Sequence, residues 1–382
     1  MSGGAASLRA AAWPERVAVV AVFLGNGIGI GAWAACIPTL KTSLTLSDGA
    51  LGFVLFAFAV AAVLAMQFAA RVTRRLGPAV ATRVAALAFA ASLPLPSFAP
   101  DLATLAAAAF VLGATNGLLD VTMNGYASAV ERRWGAAIMS SFHAAWSAGG
   151  LIGAALGGAL VAFGSGWALG GAAALAVALA AMVWTSLQEG EAPAAQAQIS
   201  VAAPSIRVLL PLCAAALLCM GAEGAMGDWT GVYLAETARA PQATTWIGFA
   251  AFSATMVAGR LLGDGAVRAW GRARVIRWGS TLAAAGLALA VVDPRLAPAT
   301  LGFALVGAGL SNVVPTLFSA AAGLASVPAA GVAMVATAGY AGLLSGPVVI
   351  GAIAQGASLR LGFAFLILCV GVAAVAARSL RE

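Results

Sequence analysis

An all-α polytopic membrane protein, with twelve transmembrane helices in two pseudo-symmetric six-helix bundles, is the fold class predicted by this chain of 382 residues. Three observations predict it. Hydrophobic residues make up 62% of the chain and charged ones 9%, more apolar material than a water-soluble core requires. Cutting the chain at its charges, prolines and glycines leaves twelve apolar stretches near the roughly 20 residues a helix needs to cross the hydrocarbon core. Finally, the chain repeats itself. Gly52-Phe53, Gly77 and Arg83 return as Gly248-Phe249, Gly271 and Arg277. An offset of 194 carries Gly77 to Gly271, Gly113 to Gly307, Thr122 to Thr316, Trp146 to Tyr340 and Gly157 to Gly351. A period that long excludes a solenoid and describes one multi-helix bundle written twice, an architecture in which solutes are held where the two repeats meet.

The spans follow in order. The first covers 17–40, between Arg16 and Lys41, and the second 49–70, between Asp48 and Arg71. The third, 79–98, follows Pro78, and the fourth, 102–130, follows Asp101 and stops at Glu131. The glycines Gly135 and Gly166 open the fifth, 135–163, and the sixth, 166–187. A polar tract over 188–204, with Glu189, Glu191, Pro193 and Pro204 among alanines, separates six spans from six. It divides the chain into a first bundle over 1–187, a cytoplasmic linker over 188–206 and a second bundle over 207–382. The seventh span, 208–235, follows Arg207, and the eighth, 244–265, stops short of Arg268. The ninth, 273–292, ends at Asp293, and the tenth, 296–325, starts after Arg295. Pro328 precedes the eleventh, 329–358, and the twelfth, 362–377, runs to Arg378.

Charge sets the orientation. With both termini cytoplasmic, sixteen arginines fall on the inner side, and only Lys41, Arg239, Arg295 and Arg360 on the outer side. That is a strong positive-inside bias. The net charge of +7 is therefore a topology signal, scattered over short loops, and no nucleic-acid partner is expected. The first twelve residues carry no long apolar run, so the first span is expected to direct insertion itself, into the cell inner membrane. Cys36, Cys213, Cys219 and Cys369 lack any metal-ligand spacing and read as small packing residues. No metal and no cofactor is expected.

Polar and ionisable residues within the spans mark the candidate site. Asn116, Asp120 and Asn124 recur every fourth residue of the fourth span and so share one stripe of a helix. Lipid cannot solvate that stripe, so it faces protein or a wet cavity, where desolvation disfavours a charged carboxyl and suits Asp120 to carry a proton. In the fifth span His143, the only histidine, shares a face with Trp146 and Ser147, while Gly149, Gly153 and Gly157 form a stripe for close helix packing. In the seventh span Glu223 lies deep and apolar-flanked, a second titrating candidate, whereas Asp228-Trp229 approaches the outer interface. Arg260 and Asp264, four apart at the inner end of the eighth span, are placed to pair along the helix and to act at the inner gate.

Pro315 followed by Thr316-Leu317-Phe318-Ser319, Gly259-Arg260 with Gly263, and an acid with an asparagine four residues later in the fourth span resemble the fucose-permease branch of the major facilitator superfamily. The likeness covers nearly the whole chain. It implies the major facilitator fold, alternating access between two bundles, and a role for Asp120 as the coupling acid of a proton symporter. The sugar site of that branch is altered here. Where the permease has an acid four residues before a first-span proline, this chain has Ala34 before Pro38, preceded by Trp33. His143 and Trp146 stand in place of fifth-span amides, and Glu223 in place of a seventh-span glutamine. The resemblance is therefore closer to bacterial inner-membrane relatives of the permease that have no assigned substrate, and it points away from fucose itself.

Arginines lie near helix ends or loops, which favours a neutral or cationic solute over an anion. Asn26, Trp33, Asn116, Asn124, His143, Trp146, Asn312 and Tyr340 are the candidate solute-binding residues, amides and aromatics suited to hydroxyl-bearing or amphipathic molecules. The resulting expectation is a monomeric secondary transporter, proton-coupled through Asp120 with Glu223 as second acid. An antiport exporter of drugs or metabolites would use the same acids, and a non-transporting solute sensor the same pocket. A membrane enzyme is disfavoured, because no nucleophile elbow accompanies His143 and Leu261-Leu262-Gly263-Asp264 lacks the first glycine of a paired-aspartate site.

Overall fold

The computed structural model describes residues 2–136, 138–188, 206–324 and 328–377, with the side chains of 2–11, 206–207, 264 and 328–329 outside the description. The predicted linker lies almost wholly outside the described residues. The α-helices in chain order are α1 (Ser2–Ser43), α2 (Asp48–Leu76), α3 (Pro78–Ser92), α4 (Leu102–Trp134), α5 (Met139–Leu160), α6 (Ser165–Met182) and α7 (Ile206–Val232). They continue as α8 (Ile247–Trp270), α9 (Arg272–Val292), α10 (Leu296–Leu310), α11 (Val313–Leu324), α12 (Pro328–Gly356) and α13 (Leu359–Ala376). Among the described residues there is no strand, and twelve helical stretches are long and apolar enough to cross a membrane. Each matches a predicted span. The tenth, Leu296–Leu324, contains both α10 and α11, because the helix breaks at Ser311-Asn312.

Local chemistry explains where helices begin and end. Asp101 caps α4 in a capping box: its carboxylate accepts from the Thr104 N–H at 2.9 Å, while Thr104 Oγ1 receives the Asp101 N–H. Those bonds hold the Asp101 carboxyl below its ordinary range, with the backbone bond from Thr104 the largest cause. The fifth span starts later than predicted. Gly135, with φ 70°, ends α4 in the left-handed region, and the Glu131 carboxylate then accepts the Ile138 and Met139 N–H groups at 2.7 and 2.6 Å to start α5. Gly77 and Gly271 enter α3 and α9 with φ 81° and 78°, so the same left-handed turn is written twice at the repeat offset.

Contacts group the chain into two compact units, residues 1–36 with 57–198 and residues 37–56 with 199–382. In the first, glycines bring α5 against α1. A methyl at Gly149 would run into the Leu24 carbonyl oxygen, one at Gly153 into that of Ile28, and one at Gly27 into that of Trp146. Between α4 and α2, a methyl at Gly113 would strike the Phe58 carbonyl and one at Gly117 that of Ala62. In the second unit a methyl at Gly307 would strike the Phe252 carbonyl, again an offset of 194 on both partners. The Tyr233, Phe303 and Phe363 rings pack together in its core, and the Tyr233 hydroxyl donates to the Ala290 carbonyl at 2.8 Å.

Candidate functional site

Within the first unit three predicted residues from three helices form one hydrogen-bonded line. The Trp146 Nε1–H of α5 donates to Asn26 Oδ1 of α1 at 2.7 Å, and Asn26 Nδ2 donates to Asn116 Oδ1 of α4 at 2.9 Å. The close glycine contact of α1 with α5 makes this possible, since Gly27 beside Asn26 lies against the Trp146 carbonyl. Asn26 is almost fully buried, whereas Asn116 and Trp146 are half-buried. A buried carboxamide so satisfied fixes the orientation of both neighbours.

The same α4 stripe continues one turn at a time. Asn124 Nδ2 donates to the backbone oxygen of Asp120 at 2.8 Å and to its Oδ1 at 3.1 Å, and both side chains are half-buried. On α5, one turn before Trp146, the half-buried His143 ring sets its edge against Phe23 at 5.5 Å between centroids and 82° between planes. Trp33 is 3% exposed and lies nearly parallel to Phe58, 6.3 Å away, so its ring is held in packing between α1 and α2.

The second unit presents a different arrangement. Arg260 of α8 donates to Glu223 Oε1 of α7 at 3.1 Å, with the two side chains 18% and 24% exposed. The sequence predicted Asp264 as the partner of Arg260, and the Asp264 side chain lies outside the described residues. Arg260 starts near the end of its membrane span, Gln242–Gly263, and its guanidinium reaches an acid in the middle of the seventh span, Val208–Thr237, so one cation does extend toward a span centre. Asn312, in the break between α10 and α11, donates to the Gly259 carbonyl at 2.7 Å and to Ser311 Oγ at 3.0 Å. Gly263 makes room for it, since a methyl there would overlap the Asn312 amide. Asn312 thus holds α8 one residue before Arg260. Tyr340 of α12 is 39% exposed.

Trp229 is fully buried, with Gly351 against its ring, and belongs to the core of its unit. Sequence reasoning missed the Glu223–Arg260 pair and the pairing of Lys41 with Asp48 and Glu236. Lys41 is the chain's only lysine and sits at a span end, which was the one available signal for the latter. A cleft of about 130 Å³ among α7, α12 and α13 is lined by Leu217, Gly221, Ser345, Val349, Phe365 and Cys369 among others, with no carboxylate, imidazole, ammonium or guanidinium in its lining. Among the described residues no group of three or more His, Cys, Asp or Glu is placed to hold a metal.

Comparison with known proteins bears on this arrangement as a whole. The family model described as the Major Facilitator Superfamily matches residues 18–342. An uncharacterized MFS-type transporter of Yersinia pestis is 35% identical over 373 residues, covering 96% of each chain. An uncharacterized transporter of Sinorhizobium fredii is 32% identical over 368 residues, covering 95% of this chain and 97% of its own. A mutant of the nucleoside transporter NupG superposes with a TM-score of 0.75 at 14% identity, over 96% of this chain and all of the other, a likeness of fold alone.

Proposed function

The chain belongs to the Major Facilitator Superfamily and is a multi-pass membrane transporter rather than an enzyme, and from that premise we propose the solute and the coupling. It moves a small neutral or cationic organic solute, sugar-like or amphipathic, as a secondary active transporter working by alternating access, with a proton carried by Asp120. Within the superfamily it is read as a member of the fucose-permease-like branch, acting as a monomer.

The observation that carries this reading is the polar line of Trp146, Asn26 and Asn116, continued along α4 by Asp120 and Asn124, inside spans that are otherwise apolar. Groups that could be apolar at no loss to packing are instead polar, bonded and aligned, as a recognition surface requires. Asn116 retains amide hydrogens beyond its bond to Asn26, and Trp146 and His143 supply ring faces, a combination suited to hydroxyls and apolar edges together. For Asp120, Asn124 occupies Oδ1, which leaves Oδ2 for a proton. Binding that proton neutralises the one charge on the stripe.

Glu223 serves as the second titrating group. Protonating it would release Arg260, so the pair with Asp264 four residues on is assigned to gating at the cytoplasmic side. The commitment of Arg260 to Glu223 supports a neutral or cationic solute, because the guanidinium already has an acid partner. The bias of sixteen inner against four outer cations supports the inner membrane, both termini cytoplasmic, and six-helix bundles over 1–187 and 207–382.

Thermal unfolding of the purified protein with a panel of sugars, polyols, amphipathic cations and organic anions tests the solute class. Members of the first three groups are expected to raise the midpoint by mass action. Stabilisation by anions alone would overturn the class.

A further inference from the structure

Where α1 enters its membrane span and α4 leaves its own, two tryptophans and an arginine form a cluster that the reading above does not use. The spans run Ala12–Ser43 and Leu102–Trp134, so Trp13 and Trp134 stand at span ends. They share one membrane surface, because the first four spans return the chain to the side from which it started. The two indole rings approach to 5.9 Å between centroids, and the Arg16 guanidinium lies 4.5 Å from the centre of the Trp134 ring and 5.7 Å from that of Trp13. Trp13 is 55% exposed, while Arg16 and Trp134 are half-buried, and all three belong to the first unit.

The acids nearby are spent on other partners. Glu15 accepts from Nε of Arg133 at 3.0 Å and from a second nitrogen of the same guanidinium, and Glu131 accepts the two N–H groups that open α5. Arg132 donates to the Ser128 hydroxyl at 3.0 Å, and among the described residues no carboxylate pairs with Arg16. Stacking on indole rings occupies the faces of a guanidinium and leaves its in-plane N–H edge, which carries the donors, uncommitted. Two other arginines that lie over tryptophans differ on this point. Arg83, 5.2 Å from the Trp184 ring, gives a donor to the Leu187 carbonyl, and Arg277 meets the single ring of its neighbour Trp278 at 5.3 Å. Among the described residues Arg16 alone combines two rings with a free donor edge.

We propose that Arg16, held between Trp13 and Trp134, binds the phosphate of an anionic phospholipid headgroup. The ends of spans lie at headgroup level, where indole rings settle and where phosphate oxygens are the acceptors at hand. A guanidinium offers two parallel N–H groups that match two such oxygens, and the rings hold it in place beforehand, so little side-chain freedom is lost on binding. Charge selects the lipid. Arg16, Arg132 and Arg133 outnumber Glu15 and Glu131 here, a surplus that attracts a headgroup of net negative charge and disfavours the quaternary ammonium of a zwitterionic one. This site is independent of the solute and of its coupling to protons.

The test follows thermal unfolding of the full chain in an uncharged detergent, without any solute, as dioleoyl phosphatidylglycerol, dioleoyl phosphatidylcholine or soluble glycerol phosphate is added. Phosphatidylglycerol is expected to raise the midpoint saturably, and the other two to raise it far less. Arg16→Gln is expected to require about tenfold more phosphatidylglycerol for the half-maximal shift, the scale of one charge-assisted hydrogen bond. Arg16→Lys, which keeps the charge and loses the fork, is expected to fall between parent and Arg16→Gln. Trp13→Leu, at the exposed ring, is expected to weaken the response as well, and it keeps the test open if Arg16→Gln does not fold. Arg277→Gln removes a cation over a single ring and is expected to leave the lipid requirement unchanged. An equal requirement in the parent and in every folded Arg16 and Trp13 variant would overturn the site. So would an equal loss in Arg277→Gln, which would mark a general surface-charge effect, or a shift as large with phosphatidylcholine or with glycerol phosphate, which would mark a site that does not select an anionic lipid.

Discussion

The indole N–H of Trp146 and the side-chain oxygen of Asn26 meet at 2.7 Å, and the same asparagine donates its amide to Asn116 at 2.9 Å. Trp146 is therefore a structural partner as well as a candidate solute contact. Trp146→Phe keeps the ring and removes the donor, and it is expected to destabilise the protein by about 1 kcal/mol while weakening solute binding. His143→Ala is expected to weaken binding more than it lowers the folded yield, since the half-buried ring packs at right angles to Phe23 on the face of α5 that also carries Trp146. Solute-dependent shifts in unfolding temperature measure both. Normal binding in both variants would make α5 a packing helix.

Asp120 is tested by changing its charge and keeping its shape. Asp120→Asn mimics the protonated acid and can still meet Asn124, so solute exchange across vesicle membranes is expected to persist. Accumulation driven by a proton gradient is expected to vanish, because the amide cannot cycle between two protonation states. Gradient-driven uptake at the parental rate would remove Asp120 from the coupling.

Spans were legible because membrane length and apolar composition are properties of a single stretch of chain. The α4 stripe was legible for a similar reason, since Asn116, Asp120 and Asn124 declare a common face through spacing alone. Glu223 and Arg260 lie 37 residues apart on different helices, and Lys41 and Glu236 lie 195 apart, so only tertiary packing reveals either pair. The local rule favoured Asp264 for Arg260 because four residues is one helical turn, yet a long guanidinium also reaches across to α7.

The repeated glycine contact gives a stability prediction in both halves. Gly113→Ala and Gly307→Ala each place a methyl on a backbone carbonyl, of Phe58 and Phe252 respectively, and a helix cannot yield there without moving its neighbour. Each is expected to destabilise by about 1–3 kcal/mol. Gly125→Ala, also on α4, meets nothing within 4 Å and is expected to be neutral or to gain up to about 1 kcal/mol from helix propensity. Unfolding midpoints that rank the three variants alike would refute the close approach.

A double-mutant cycle addresses the pair in the second unit. Glu223→Gln removes the carboxylate that Arg260 donates to, and Arg260→Gln removes that donor from Glu223, so each single change is expected to lower the unfolding midpoint. The double variant should lose less than the two losses added, with a coupling of about 1 kcal/mol for a partly exposed pair. Asp264→Asn provides the comparison. If Arg260 is committed to Glu223, this change is expected to cost less stability than Glu223→Gln, and any shift it causes should appear instead in the accessibility of cysteines placed on α5 and α12 to reagents added from each side of the membrane. Strict additivity of Glu223→Gln and Arg260→Gln, together with a larger loss in Asp264→Asn, would show that the working partner of Arg260 is the acid on its own helix.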